Sequence, residues 1–239
     1  SYDCKQVFSG DRWALTGEAG LFLDPFYSPG SDFIAMSNTF ICDLIEKDRA
    51  GKSFAPYAEI YQQLYFSFYE NTLTLYQDQY PLFGDAQVMP VKVIWDYTYY
   101  WALLAPLFFG KRLTDIALLG KLRPQFMRGR DLNLGIQALL REWGQRNTAP
   151  LTPDDRFLNQ HGIDWFHEMN RALLDDLEDN AFEQRIADNV ARMEWLAREV
   201  LARARSEHAG IDGHGLDALL SESTSTPPSL APEWYADAA

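Results

Sequence analysis

The amino-acid sequence predicts a predominantly α-helical chain with one short strand at its start, on three observations. Apolar residues recur at helical spacing from about residue 31 to residue 205. One short apolar run near the front, Trp13-Ala14-Leu15-Thr16, has strand character and runs straight into Gly17. Between the two lies a stretch punctuated by Gly17, Gly20, Pro25, Pro29 and Gly30, the composition of a loop.

Each element follows in order. Trp13 to Thr16 reads as a buried strand ending in a turn. A helix is expected from Ser31 or Asp32, where a small polar cap precedes Phe33, Ile34, Phe40, Ile41, Leu44 and Ile45, and it should stop near Gly51. A long helix then opens near Phe54, carries Tyr57, Tyr61, Leu64, Phe68, Thr72, Leu75 and Gln79 on one face, and ends before Pro81. Helices are expected over Val91–Leu104, Leu113–Met127, Leu132–Trp143 and Pro153–Leu174. The last, Phe182–Arg205, has the clearest stripe: Ile186, Val190, Met193, Leu196, Val200 and Leu201. Beyond Ser206 the chain turns to Gly, Ser, Thr, Pro and Ala, which predicts a flexible tail. The expected organisation is therefore a front region over 1–52, an aromatic-rich helical domain over 53–205 and a tail over 206–239. A lone strand has no partner for its backbone groups. The front accordingly reads as the last strand of a sheet whose other strands lie outside this chain.

Composition narrows the function classes. The 239 residues are 47% hydrophobic, enough for a sizeable core. A net charge of −13 repels phosphates, which argues against nucleic acid and anionic membrane surfaces as partners. The most hydrophobic stretch, Val88 to Phe109, contains Lys92, Asp96, Pro90 and Pro106, so no membrane span is expected. Asp11 and Arg12 interrupt the first apolar run, and no secretory leader is expected. With only Cys4 and Cys42 there is no disulfide framework and no thiolate metal cluster, and a cytoplasmic setting is the expectation. Half of the aromatic residues fall between Phe54 and Phe109. The block reads first as core and helix-packing surface, but Tyr99-Tyr100-Trp101 cannot all face one core, so part of it is expected to line a pocket or an interface, with an aromatic substrate as one reading.

The chemistry concentrates in Gly17-Glu18-Ala19-Gly20-Leu21-Phe22-Leu23-Asp24-Pro25-Phe26-Tyr27-Ser28-Pro29-Gly30. A strand delivers a glycine turn carrying an acid, an Asp-Pro turn follows, and a glycine-containing loop opens a helix. A carboxylate after a strand-ending glycine accepts hydrogen bonds from polyol hydroxyls. A helix start offers free amides and a positive dipole end to an electron-rich atom. Turn acids and N-capping serines are the structural alternative for Glu18, Asp24, Ser28 and Ser31.

This segment resembles the second flavin-binding motif of the hydroxybenzoate-hydroxylase-like flavoproteins, above all its version in flavin-dependent halogenases. Correspondence covers about Arg12 to Ile45. The resemblance implies the C-terminal part of an α+β FAD-binding fold and an FAD-dependent oxidoreductase, monooxygenase- or halogenase-like, with an aromatic or other hydrophobic substrate. It places Gly17, Glu18, Asp24, Pro25, Ser28, Pro29, Gly30 and Ser31 at the cofactor: Glu18 on the ribityl chain, Pro25 and the Ser28–Ser31 backbone along the flavin edge. It names no catalytic residue in this chain. Three departures stand out. Glu18 replaces the usual Asp, Pro29 occupies a position that in halogenases donates an amide to halide, and Gly-x-Gly-x-x-Gly is absent. An N-terminal half or a separate flavin reductase is the partner implied. A helical scaffold using its aromatic surface is the competing class. His161 and His167, beside Asp164 and Glu168, read as a solvated helix face rather than a metal site.

Overall fold

The computed structural model describes residues 1–147 and 159–221. It is 70% helical, in line with the predicted class, and the described residues divide into two compact units.

The first unit comprises Ser1–Tyr76 with Lys111–Leu119. At its front the predicted buried strand is corrected. Residues 13–16 form no continuous strand: Ala14 makes one antiparallel bridge to Phe8, and Trp13 is 44% exposed. Their backbone is nonetheless paired, with Leu15 N donating to Val7 O at 2.8 Å and Ser9 N to Trp13 O at 3.1 Å. Tyr2 and Phe22 exchange a second pair of bonds, at 3.0 and 2.8 Å. Residues 2–9, polar enough to be passed over as strand, supply these partners.

Helix α1 (Pro29–Arg49) begins two residues earlier than expected because Pro29 fits the first helical position, where no N–H is needed. It ends where expected. Gly51 adopts φ +68°, and its amide with that of Lys52 caps Asp48 O and Lys47 O at 2.9 Å each. Helix α2 (Ala55–Leu73) stops at Leu73, well short of the expected end before Pro81. It buries Ala58, Tyr61, Tyr65 and Tyr69, a face rotated from the predicted one. These rings close on Phe8, Phe33 and Phe40, with Phe40–Tyr61 stacked at 4.7 Å and Phe33–Tyr65 edge-on at 5.6 Å.

The second unit comprises Gln77–Gly110 and the chain from Gly120 onward. Helix α3 (Val88–Tyr99), a π-helical turn (Tyr100–Leu104) and α4 (Ala105–Phe109) follow one another without a break. The turn has a local cause. Pro106 has no N–H for the carbonyl of Ala102 four residues back, and Asn189 Nδ2 donates to that oxygen at 3.1 Å. Helix α5 (Ile116–Arg146) merges the two helices expected over 113–127 and 132–143. Gly129, in the expected gap, is a packing site rather than a stop, since a Cβ there would meet Leu103 Cδ1 at 2.5 Å. Helix α7 (Asp179–Glu207) buries the predicted stripe, including Ile186, Met193, Leu196 and Val200.

Two further expectations differ. Of the helix predicted over 153–174, residues 153–158 lie outside the described residues; the rest is short α6 (Asp164–Arg171) flanked by 3-10 turns. Structure also continues past Ser206: Ile211 is buried, and α8 (Leu216–Ser221) packs Leu216 and Leu220 inward. Arg198 donates to Leu220 O at 3.2 Å, and Arg205 pairs with Asp217 at 2.7 Å. Residues 222–239 of the expected tail lie outside the described residues. Among the described residues no helix is long and apolar enough to cross a membrane.

Candidate functional site

The segment from Gly17 to Ser31 lies wholly in the first unit and folds against the start of α1. Gly17 opens a 3-10 turn (Gly17–Ala19) at φ +53°. A Cβ at that position would lie 2.4 Å from Ile34 Cγ1, so both conformation and space require glycine. Ser37 anchors the turn: its hydroxyl accepts from Gly17 N at 3.1 Å and donates to Ile34 O at 3.0 Å. From the other side Tyr2 Oη donates to Glu18 O at 2.6 Å.

The Asp-Pro loop is built as tightly. Asp24 Oδ1 accepts from Phe26 N at 2.9 Å, an Asx turn, and Pro25 O accepts from Ser28 N at 2.7 Å. Tyr76 Oη fixes the loop by donating to Phe26 O at 2.5 Å. Tyr27 and Ser28 both sit in the left-handed region, at φ 69° and 55°. Two consecutive non-glycine residues there hold strain that only the surrounding contacts maintain. Ser28 precedes α1 with no side-chain capping bond, so the expected serine cap is absent at this residue.

The first turn of α1 can be counted donor by donor. Ser28 N is taken by Pro25 O, and Pro29 has no N–H. That leaves the amides of Gly30 and Ser31 at the positive end of the helix, Ser31 N making a long 3.4 Å bond to Ser28 O. Glu18 reaches this same point, since a Cβ on Gly30 would lie 3.1 Å from Glu18 Oε1. Glu18 and Gly30, twelve residues apart, thus share one spot. Of the eight residues singled out from sequence, Gly17 and Pro29 are buried, Asp24 and Gly30 half-buried, and Glu18, Pro25, Ser28 and Ser31 exposed.

Tyr2, Ser37 and Tyr76 hold this segment and carry no sequence signal, because each reaches it from a distant part of the chain. A second polar cluster, in the other unit, was also invisible as a unit. Lys92 Nζ lies 2.7 Å from Asp96 Oδ2, with side chains 0% and 1% exposed. Gln137 binds both, accepting from Lys92 at 3.0 Å and donating to Asp96 at 2.7 Å. Asn133 Oδ1 receives Gln137 Nε2 at 3.1 Å and Trp95 Nε1 at 2.9 Å. Burial pulls the Lys92 ammonium below its ordinary pKa, and the Asp96 charge acts against that. A sealed network of this kind ties α3 to α5 and offers no atom to a substrate.

A minority of the aromatic block between Phe54 and Phe109 is fully buried core. Tyr61, Tyr65, Tyr69 and Trp95 are buried, whereas Trp101 lines a cavity in the second unit. The His161 and His167 rings meet edge-on at 5.6 Å. Among the described residues no group of three or more His, Cys, Asp or Glu is placed to hold a metal ion.

Comparison with known proteins gives one distant relation. The chain is 25% identical over 113 residues to the flavin-dependent halogenase chlA of Dictyostelium discoideum. The match covers 46% of this chain and 19% of that protein, so the chain spans about a fifth of the relative it matches. No protein-family model matches, and no solved structure matches. Over that stretch the chain is distantly similar to a flavin-dependent halogenase.

Proposed function

We propose that residues 12–45 form the flavin-edge element of an FAD-dependent oxidoreductase, monooxygenase- or halogenase-like, that acts on an aromatic or other hydrophobic small molecule. The Gly17–Ser31 segment suits that role by its donor set. Glu18 accepts hydrogen bonds from the ribityl hydroxyls. The Gly30 and Ser31 amides, backed by the α1 dipole, face the electron-rich pyrimidine edge, while Gly17, Asp24, Pro25 and Ser28 shape the loop bordering it. Bound FAD supplies two-electron redox chemistry; this chain orients and electrostatically steadies it. Pro29 has no N–H to give a halide, which favours oxygenation over halogenation. The remaining cofactor contacts come from an N-terminal half or a partner polypeptide, and a flavin reductase is a candidate electron source.

The supporting observation is the meeting of the Glu18 carboxylate with Gly30 at the head of α1. Titrating FAD into the purified chain should quench flavin fluorescence saturably. Gly30→Val, which drives a branched side chain into the Glu18 carboxylate, should weaken that response at least tenfold while circular dichroism stays unchanged. An absent response, or one equal in both proteins, would remove the flavin assignment and leave the helical scaffold.

A further inference from the structure

We propose that the second unit binds a small apolar carboxylic acid in a cavity between the π turn, α6 and α7, with the acid group on Arg192 and the body against Trp101, Met169 and Phe182. The cavity measures about 250 Å³. It falls just below the range of about 300–1,000 Å³ typical of drug-sized ligands, so a one- or two-ring acid is the right scale.

Its chemistry is asymmetric. Trp101, Met169 and Phe182 give one apolar wall; Arg185, Arg192 and Glu168 also line the space. Arg185 is occupied, donating to Ala172 O at 3.2 Å and to Asp175 Oδ2 at 2.9 Å. Arg192 is not. Its Nη1 makes only a long 3.4 Å bond to Trp165 O, its guanidinium sits 5.7 Å from the Trp165 ring centre, and its Nε is buried without a hydrogen-bond partner. Burial lowers the pKa of this guanidinium even though Glu168 and Asp188 act through space to raise it. A half-buried cation with donors to spare, beside an aromatic wall, is completed by a planar anion that accepts two hydrogen bonds. Because every residue named belongs to the second unit, the inference stands apart from the flavin proposal.

The test uses 3-phenylpropionate, its neutral amide and its amine analogue, followed by ligand-observed NMR titration against the full chain. The acid should bind saturably, the amide at least tenfold more weakly, and the amine not at all. Arg192→Met should erase the preference for acid over amide. Glu168→Gln, an exposed change that removes one of the two carboxylates acting on Arg192, should tighten the acid about twofold and leave the amide unchanged, so a poorly folding Arg192 variant does not block the result. Equal binding of acid and amide, an Arg192→Met protein that still prefers the acid, or no saturable binding would overturn the proposal.

Discussion

The Gly17–Ser31 segment and the Lys92 cluster are both polar assemblies set into apolar surroundings, and they are built in opposite ways. At the front the important polar atoms are main-chain amides and one exposed carboxylate, held by a strained backbone at Tyr27 and Ser28 and by a glycine that tolerates no Cβ. Between α3 and α5 they are side chains with essentially no exposure, each satisfied by another. The difference separates an accessible, strained surface segment from a closed lock whose polar groups are paired with one another. Charge alone does not distinguish them; access and strain do.

The widest gap between the two should appear when one charge is removed from the lock. Asp96→Ala leaves Lys92 buried without its counter-charge, and urea denaturation should show a loss of about 3–5 kcal/mol. Lys92→Met, Asp96→Leu and Gln137→Met together remove charge and partner at once, and should recover most of that loss. A triple variant as weak as Asp96→Ala would mean that the network, rather than its uncompensated charge, carries the stability.

Gly17 tests the front in the same currency. Gly17→Ala combines a left-handed backbone, costing about 1–2 kcal/mol, with a Cβ only 2.4 Å from Ile34 Cγ1, and the total should reach about 2–3 kcal/mol. Adding Ile34→Ala relieves the overlap and should return only part of the loss. Full recovery would show that the backbone conformation is not strained at all.

How much of this was legible follows from where each constraint lives. Gly17, Pro25, Pro29 and Gly30 announce the front segment because glycine and proline restrict the main chain locally, and local restrictions are written in sequence. The α7 stripe was legible for a similar reason, being one periodicity on one helix. Lys92 and Asp96, or Asn133 and Gln137, stand four apart on their helices, yet nothing local says that the two pairs converge. In sequence Lys92 and Asp96 served only to argue against a membrane span. The bridge from Ala14 to Phe8 and the burial of Leu216 and Leu220 depend likewise on tertiary partners. Composition averaged over the Gly- and Ser-rich end concealed α8.

Tyr65 gives a smaller, pH-dependent contrast within the core of the first unit. Burial pushes its phenol up to about 12, while its hydroxyl donates to Phe33 O at 3.1 Å. The unfolded chain ionises near the ordinary value of about 10, so between about pH 10 and 12 the folded state holds the extra proton. The stability contribution is therefore complete below about pH 10 and is lost as pH rises toward 12. Tyr65→Phe should cost about 1 kcal/mol at neutral pH for the missing hydrogen bond, with the difference from wild type shrinking in alkali. Parallel curves for the two proteins from pH 8 to 11 would contradict a buried, protonated phenol.

The smallest effect belongs to Glu18, and it bears most directly on why the front differs from the lock. Glu18→Gln keeps the shape and removes the charge beside the positive end of α1. For an exposed carboxylate at a helix start the stabilisation is about 0.3–1 kcal/mol at low salt. It should fade near 1 M salt, where the screening length falls to about 3 Å from about 30 Å at 0.01 M. Asp96→Asn, the same carboxylate-to-amide exchange inside the lock, should cost several-fold more and hardly respond to salt, because solvent ions do not reach a side chain that is 1% exposed. Measured side by side in urea, the two substitutions should diverge as salt rises. A Glu18→Gln loss that is large and indifferent to salt would place its carboxylate in a closed structural contact, and the front segment would then be a second lock rather than a surface open to a ligand.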